Sequence, residues 1–119
     1  MSRWRSDRGS GSVLTLAAAC VVVVLAAALG LLAQAAQVRA RAQSVADLSA
    51  LAAAREAQRA AFGDPDAVEP CGRAGAVATH NGGRVAACTL LAAGRVRIEA
   101  VVAAPVGEAQ ASALAGPSP

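Results

Sequence analysis

Three cysteines and one histidine are the residues of this 119-residue chain best suited to chemistry. Cys71 and Cys88 have sixteen residues between them and bracket a segment rich in alanine and glycine. The piece from Phe62 to Ala104 is about forty residues long, a size that usually needs a covalent staple. A Cys71–Cys88 disulfide closing that loop contributes about 3 kcal/mol in the chain-entropy account. It ranks first, with two free thiols as the alternative, and it requires an oxidising compartment. Zinc fits poorly, because Cys71, Cys88 and His80 make three ligands where a closed site takes four.

Cys20 stands alone in an apolar run. Ala17-Ala18-Ala19-Cys20 loosely resembles a lipidation signal, but Leu16 sits one position early and thirteen apolar residues follow the cysteine. It reads as a small lipid-facing or packing residue. His80, just before Asn81-Gly82, reads as a surface residue at a helix end, since no nucleophile or second acid is placed with it. Asp64, Asp66 and Glu69 miss the calcium-loop spacing and read as a solvated linker. The chain has no phosphate-binding glycine loop, HExxH or GxSxG motif. The sequence therefore predicts no catalytic residues, no metal or cofactor site and no small-molecule substrate.

The elements that carry these residues follow from the distribution of apolar side chains. Val13–Ala33 contains no charge, and eleven of its 21 residues are Val or Leu. As a helix it spans roughly 32 Å, the thickness of a bilayer's hydrocarbon core. Its Val and Leu supply roughly 3–7 kcal/mol towards insertion, enough to outweigh one Thr and one Gly. Residues 34–62 continue the helical signal without Pro, and Val38, Ala42, Val45, Leu48 and Ala52 repeat at spacings of three and four. Gly63 and Pro65 stop the helix.

The expected organisation is a polar leader over residues 1–12, with Ser10 or Ser12 as helix cap, then a transmembrane helix over 13–33 and a helical extension over 34–62. A small α+β head over 63–104 follows, with a helix at Arg73–His80 and strands at Arg84–Leu91 and Arg95–Ala103. Ala92-Ala93-Gly94 forms the hairpin connection. Residues 105–119, small and Pro/Gly-containing, read as a disordered tail. The fold class is thus α+β and membrane-anchored: one long N-terminal helix, then a disulfide-stapled helix plus β-hairpin.

Charge narrows the partners. The net charge is +3, every basic residue is arginine, and aromatics make up 2% of the chain. That excludes the basic stripes and stacking platforms of nucleic-acid binders. Arg3, Arg5 and Arg8 precede the span, while Arg39 and Arg41 follow it. The arginine balance leans slightly towards a cytoplasmic N-terminus. The candidate disulfide puts residues 34–119 on the extracytoplasmic side of a single-pass cell-membrane protein.

Arg8-Gly9-Ser10, the apolar helix and RARAQSVADLSALAAA (Arg39–Ala54) resemble the N-terminal region of TadE/TadG-like proteins of Flp (type IVb, Tad) pilus systems. CGRAGAVATHNGGRVAAC resembles a small actinobacterial branch of that group. The resemblance covers roughly residues 7–102. It implies a non-enzymatic, pilin-like (pseudopilin) or accessory component of pilus assembly or a related secretion system. The implied partners are the lipid bilayer, pilin-like proteins and membrane platform proteins. It also makes Gly9 and Gly11 candidate leader-cleavage positions. Cutting there would put Leu14 or Leu16 at the fifth mature position, where pilin-like precursors usually carry Glu. Two other functions fit the composition. One is a secreted disulfide-bonded module cut near Ala33-Gln34-Ala35, although the apolar region exceeds a signal peptide's usual 7–15 residues. The other is a small membrane-anchored regulator.

Overall fold

The computed structural model describes residues 3–118, with side chains described from Gly9 onward. Met1 and Ser2 of the expected leader and Pro119 of the expected tail lie outside the described residues. The chain divides between Ala35 and Ala36 into two units.

The first unit is helix. α1 runs Arg3–Ala61, without a break, through the segment expected as a leader. The correction has a simple cause. Once the apolar helix is nucleated, each added residue costs little, and residues 3–12 contain no proline to stop it. Ser10 and Ser12 therefore lie within the helix rather than capping it. Thr15 turns its hydroxyl back onto the Gly11 carbonyl at 2.8 Å, which leaves no unsatisfied polar atom on that side chain. Val21, Val22, Val23 and Val24, whose side chains succeed one another round the helix, are exposed at 57%, 64%, 67% and 66%. This helix is long and apolar enough to cross a membrane, and none of its most apolar window is buried.

The second unit is an α+β head. It contains the C-terminal part of α1, then α2 (Pro70–His80), β1 (Arg84–Leu90), a short 3-10 turn (Ala92–Gly94), β2 (Val96–Ala103) and β3 (Glu108–Ala115). The strands form one antiparallel sheet in the order β1-β2-β3. β3 corrects the expected disordered tail, and it turns the expected hairpin into a three-stranded meander. All eight of its residues pair with β2, from Val96↔Ala115 to Ala103↔Glu108. Alanine is a poor strand former, so composition alone pointed to disorder. What the residues do satisfy is a pleat, with Ala109, Ala111, Ala113 and Ala115 packed on the core and the polar positions outside.

The core lies between one face of the sheet and the helices. It joins Ala42, Val45, Ala46, Ala50, Ala53 and Ala54 of α1 to Ala74 and Ala78 of α2 and to Val96, Ile98, Ala100 and Val102 of β2. The helix face differs in part from the expected one. Ala42 and Val45 are buried as predicted, but Leu48 and Leu51 are each 44% exposed, and Ala46, Ser49, Ala50 and Ala53 take the inner positions. Small side chains win this contact because they leave room for Val96, Ile98 and Val102.

Candidate functional site

Cys71 lies in the first turn of α2 and Cys88 in the middle of β1, and they are bonded, with S–S 2.04 Å and Cα–Cα 5.9 Å. Two local devices bring them together. The first orients α2. Glu69 is its N-cap, its carboxylate accepts from the Cys71 and Gly72 N–H groups, and Pro70 occupies the first turn, where its missing N–H costs nothing. Glu69 was expected as a solvated linker acid. The acid-proline pair before a helical run was the signal for its capping role.

The second device is a β-bulge at Ala86. Val85 pairs with Ala100 and Cys88 with Ile98, so both face the core although they are three residues apart. Strict alternation would send one of them outward. The extra residue resets the phase and aims Cys88 at α2.

The other end of α2 is closed by Asn81, Gly82 and Gly83. Gly83 N–H donates to Ala78 O at 2.9 Å and Gly82 N–H to Thr79 O at 3.1 Å, while Gly82 adopts φ +80. This is the glycine-terminated helix end expected there. His80 is the exposed last residue of α2. Gly83 also lies against the sheet, where a Cβ would sit 3.0 Å from both Val101 O and Val45 Cγ1.

The linker acids are structural too. Glu56, 7% exposed near the end of α1, accepts from Arg59 at 3.1 Å and from Val68 N–H at 3.2 Å. Asp64 accepts from Asp66 N–H at 2.9 Å and from Arg59 Nε at 2.8 Å. These two hydrogen bonds hold the Asp64 carboxyl below its ordinary pKa, and the same acids hold the Arg59 guanidinium above its own. The linker is thereby tied to the last turns of α1.

On the opposite face of the sheet, Arg84 reaches across β2 to Glu108 at 3.2 Å. Beside them an open hollow of about 290 Å³ is lined by Ala86, Glu99, Val101, Gln110 and Ser112. Its lining offers one carboxylate, Glu99, and one hydroxyl, Ser112, with no histidine or cysteine beside them. Among the described residues, no group of His, Cys, Asp and Glu is placed to hold a metal ion. Cys20 is a free, exposed thiol on the apolar helix. Gly9 and Gly11 lie inside α1.

The features with clear functional character are thus an exposed apolar helix and a stapled head built on the same helix. Residues 9–61 match the protein-family model described as "Putative Flp pilus-assembly TadE/G-like". This is a TadE/G-like segment. The match spans the apolar stretch and the α1 residues that form the inner layer of the head. The description of that family model ties the matched segment to Flp pilus assembly. No curated protein and no solved structure matches the chain.

Proposed function

We propose that this TadE/G-like chain is a non-enzymatic, pilin-like or accessory membrane component of Flp/Tad-type pilus assembly or a related secretion system. The observation that carries the reading is the placement of the family match on α1. One helix is apolar on every side in its first part and forms the floor of a small head in its second. A helix exposed in this way needs lipid or other apolar helices around it. Small residues along it allow close backbone approach to neighbouring helices. The disulfide and the packing of α1 on the sheet constrain the head.

In this reading the chain crosses the cell membrane once, with its N-terminus cytoplasmic and the head on the oxidising side. Its partners are pilin-like proteins and membrane platform proteins of a Tad-type apparatus. Deleting the gene and imaging the cell surface tests the role: loss of Flp-type pili, restored by the intact gene, is the expected outcome. Unchanged piliation together with unchanged secretion refutes it. Sequencing the N-terminus of the membrane-extracted protein tests processing, since cleavage after Gly9 or Gly11 leaves Ser10 or Ser12 first. Release of a fragment beginning near Ala36 into the medium would favour the secreted module instead.

A further inference from the structure

We propose that the free edge of β3 takes up an extended segment of a partner protein as a fourth strand, with an arginine or lysine of that segment laid over Ser112 onto the Glu99 carboxylate. Only the head is involved, so this docking depends neither on a membrane crossing by α1 nor on the pilus role.

The hydrogen bonds of the sheet fix which backbone groups are open. Ala104 N–H donates to Gly107 O at 3.0 Å, which makes these two a bonded pair at the β2–β3 turn. Bonded and unbonded pairs alternate along an antiparallel ladder, and the β2–β3 register runs from Ala103↔Glu108 to Val96↔Ala115 without a shift. Val101↔Gln110, Glu99↔Ser112 and Arg97↔Leu114 are therefore unbonded pairs. The N–H and C=O groups of Gln110, Ser112 and Leu114 point away from β2. The other turn agrees: Leu91 N–H donates to Arg95 O at 2.8 Å, and the same alternation aims the backbone groups of Arg97 and Glu99 at β1. Among the described residues, one of the outward groups has a partner, Ser112 O, which accepts from Gln43 Nε2 of α1 at 3.2 Å.

The two edges of the sheet differ. β1 carries the bulge at Ala86, a device that blunts an edge against further pairing. β3 has eight residues, no bulge and no proline, and its one charged residue, Glu108, stands at its first position. Its core-facing Ala109, Ala111, Ala113 and Ala115 are only half-buried, so a further strand with small residues on that side would complete their cover. An open ladder of this kind matches an extended backbone, whose N–H and C=O groups recur at the same two-residue repeat.

Glu99 selects the segment. It lines the hollow on the outer face of the sheet, flanked by Gln110 and Ser112 over Ala86 and Val101. Among the described residues it forms no ion pair, with Arg97 of the same strand or with any other cation. Ser112 lies directly opposite Glu99, and its short side chain leaves the way from the edge open. A residue added opposite Ser112 stands two strands from Glu99, roughly 10 Å between Cα atoms. A long basic side chain and a glutamate together span that distance. Leu114, 51% exposed on the same face, favours an apolar residue two positions along the added strand. β3 itself contains no basic residue, so pairing with the β3 of a second copy would leave Glu99 unmatched.

The test uses the full chain in detergent micelles and the end-capped synthetic peptide Thr-Ala-Val-Ala-Arg-Ala-Thr-Ala. In an antiparallel register its arginine and valine fall opposite Ser112 and Leu114. Hydrogen exchange of the β3 amides is the readout. In the free chain the amides of Ala109, Ala111 and Ala113 are bonded to β2, and those of Gln110, Ser112 and Leu114 exchange faster. Saturating peptide should slow the second set by about tenfold or more, and the same peptide N-methylated at its arginine should not. Replacing the peptide's arginine by glutamine, or Glu99→Gln in the chain, should weaken binding about two- to fivefold, and both changes together no more than either alone. Exchange at Gln110, Ser112 and Leu114 that is unchanged at millimolar peptide overturns the proposal. Slowing that is indifferent to both the arginine and Glu99 overturns the basic segment as occupant. Slowing that grows with chain concentration in the absence of peptide assigns the edge to a second copy and overturns the partner.

Discussion

Removing the Cys71–Cys88 bond is the sharpest test of how the head is held together. The two residues are separated by 17 positions, and closing a loop of that size restricts the unfolded chain by about 3 kcal/mol. The head has little to set against that loss. The largest fully buried side chains besides Ser49 are Ile98, Val45, Val96 and Val102, and most of the remaining core is alanine. For a unit of 84 residues, Ala36–Pro119, each kcal/mol moves the midpoint by roughly 4–8 °C, so Cys71→Ala with Cys88→Ala should lower it by roughly 12–24 °C. Helical circular dichroism would miss the change, because the apolar part of α1 stays helical in a micelle. Hydrogen exchange of the β2 amides of Val96–Ala103 reports the head alone. Those amides should exchange roughly 100-fold faster in the double variant, and in the wild-type chain after reduction. Less than about a threefold change would show that packing alone fixes α2 on β1 and that the loop-entropy argument is wrong here.

Three further outcomes follow from individual side chains. Ser49 is fully buried in the α1 face and its Oγ has no hydrogen-bond partner, so Ser49→Ala should raise the head's unfolding free energy by about 1 kcal/mol, read from denaturant midpoints. Gly83→Ala should cost about 1–3 kcal/mol in the same assay, because its Cβ meets Val101 O and Val45 Cγ1 at 3.0 Å and the core must shift to admit it. Asp64 has a folded-state pKa below its unfolded value. Its contribution is therefore present above about pH 4 and is lost as the pH falls through the folded value. Between pH 5 and pH 2.5 the wild-type midpoint should fall further than that of Asp64→Asn, and parallel curves would refute the role given to its two hydrogen bonds.

Much of the candidate site was legible from residue types. The apolar run announced the exposed helix because no soluble head of this size could cover 21 uncharged residues. Cys71 and Cys88 could be paired from the size of the loop and the smallness of the core. Asn81-Gly82 marked the end of α2 because a left-handed backbone there favours glycine. Arg39–Ala54 carried the family resemblance, and the family match at residues 9–61 contains it.

Other features had weaker signals. Glu69 looked like one more linker acid until its carboxylate was seen on two helix N–H groups, and no motif or spacing singled out Glu56, which is buried and accepts from Val68 N–H. The inner face of α1 could not be chosen by hydrophobicity. Alanine occupies nearly every side of that helix, and the sheet took the alanines and left Leu48 and Leu51 partly outside.

The sequence by itself determined that this protein has one long apolar helix, a helix stop near Gly63, a pair of bondable cysteines and two strands about a three-residue turn. Those are local properties, set by hydropathy, backbone restriction and loop length. Only the tertiary structure decided that residues 108–115 are a strand, that a bulge at Ala86 aims Cys88 at α2, and that Arg41 lies against Gly82. An alanine-rich segment has almost no preference of its own between coil, helix and strand. What fixes it is the row of β2 hydrogen-bonding groups it satisfies and the α1 face it covers, and both come from residues distant in the chain.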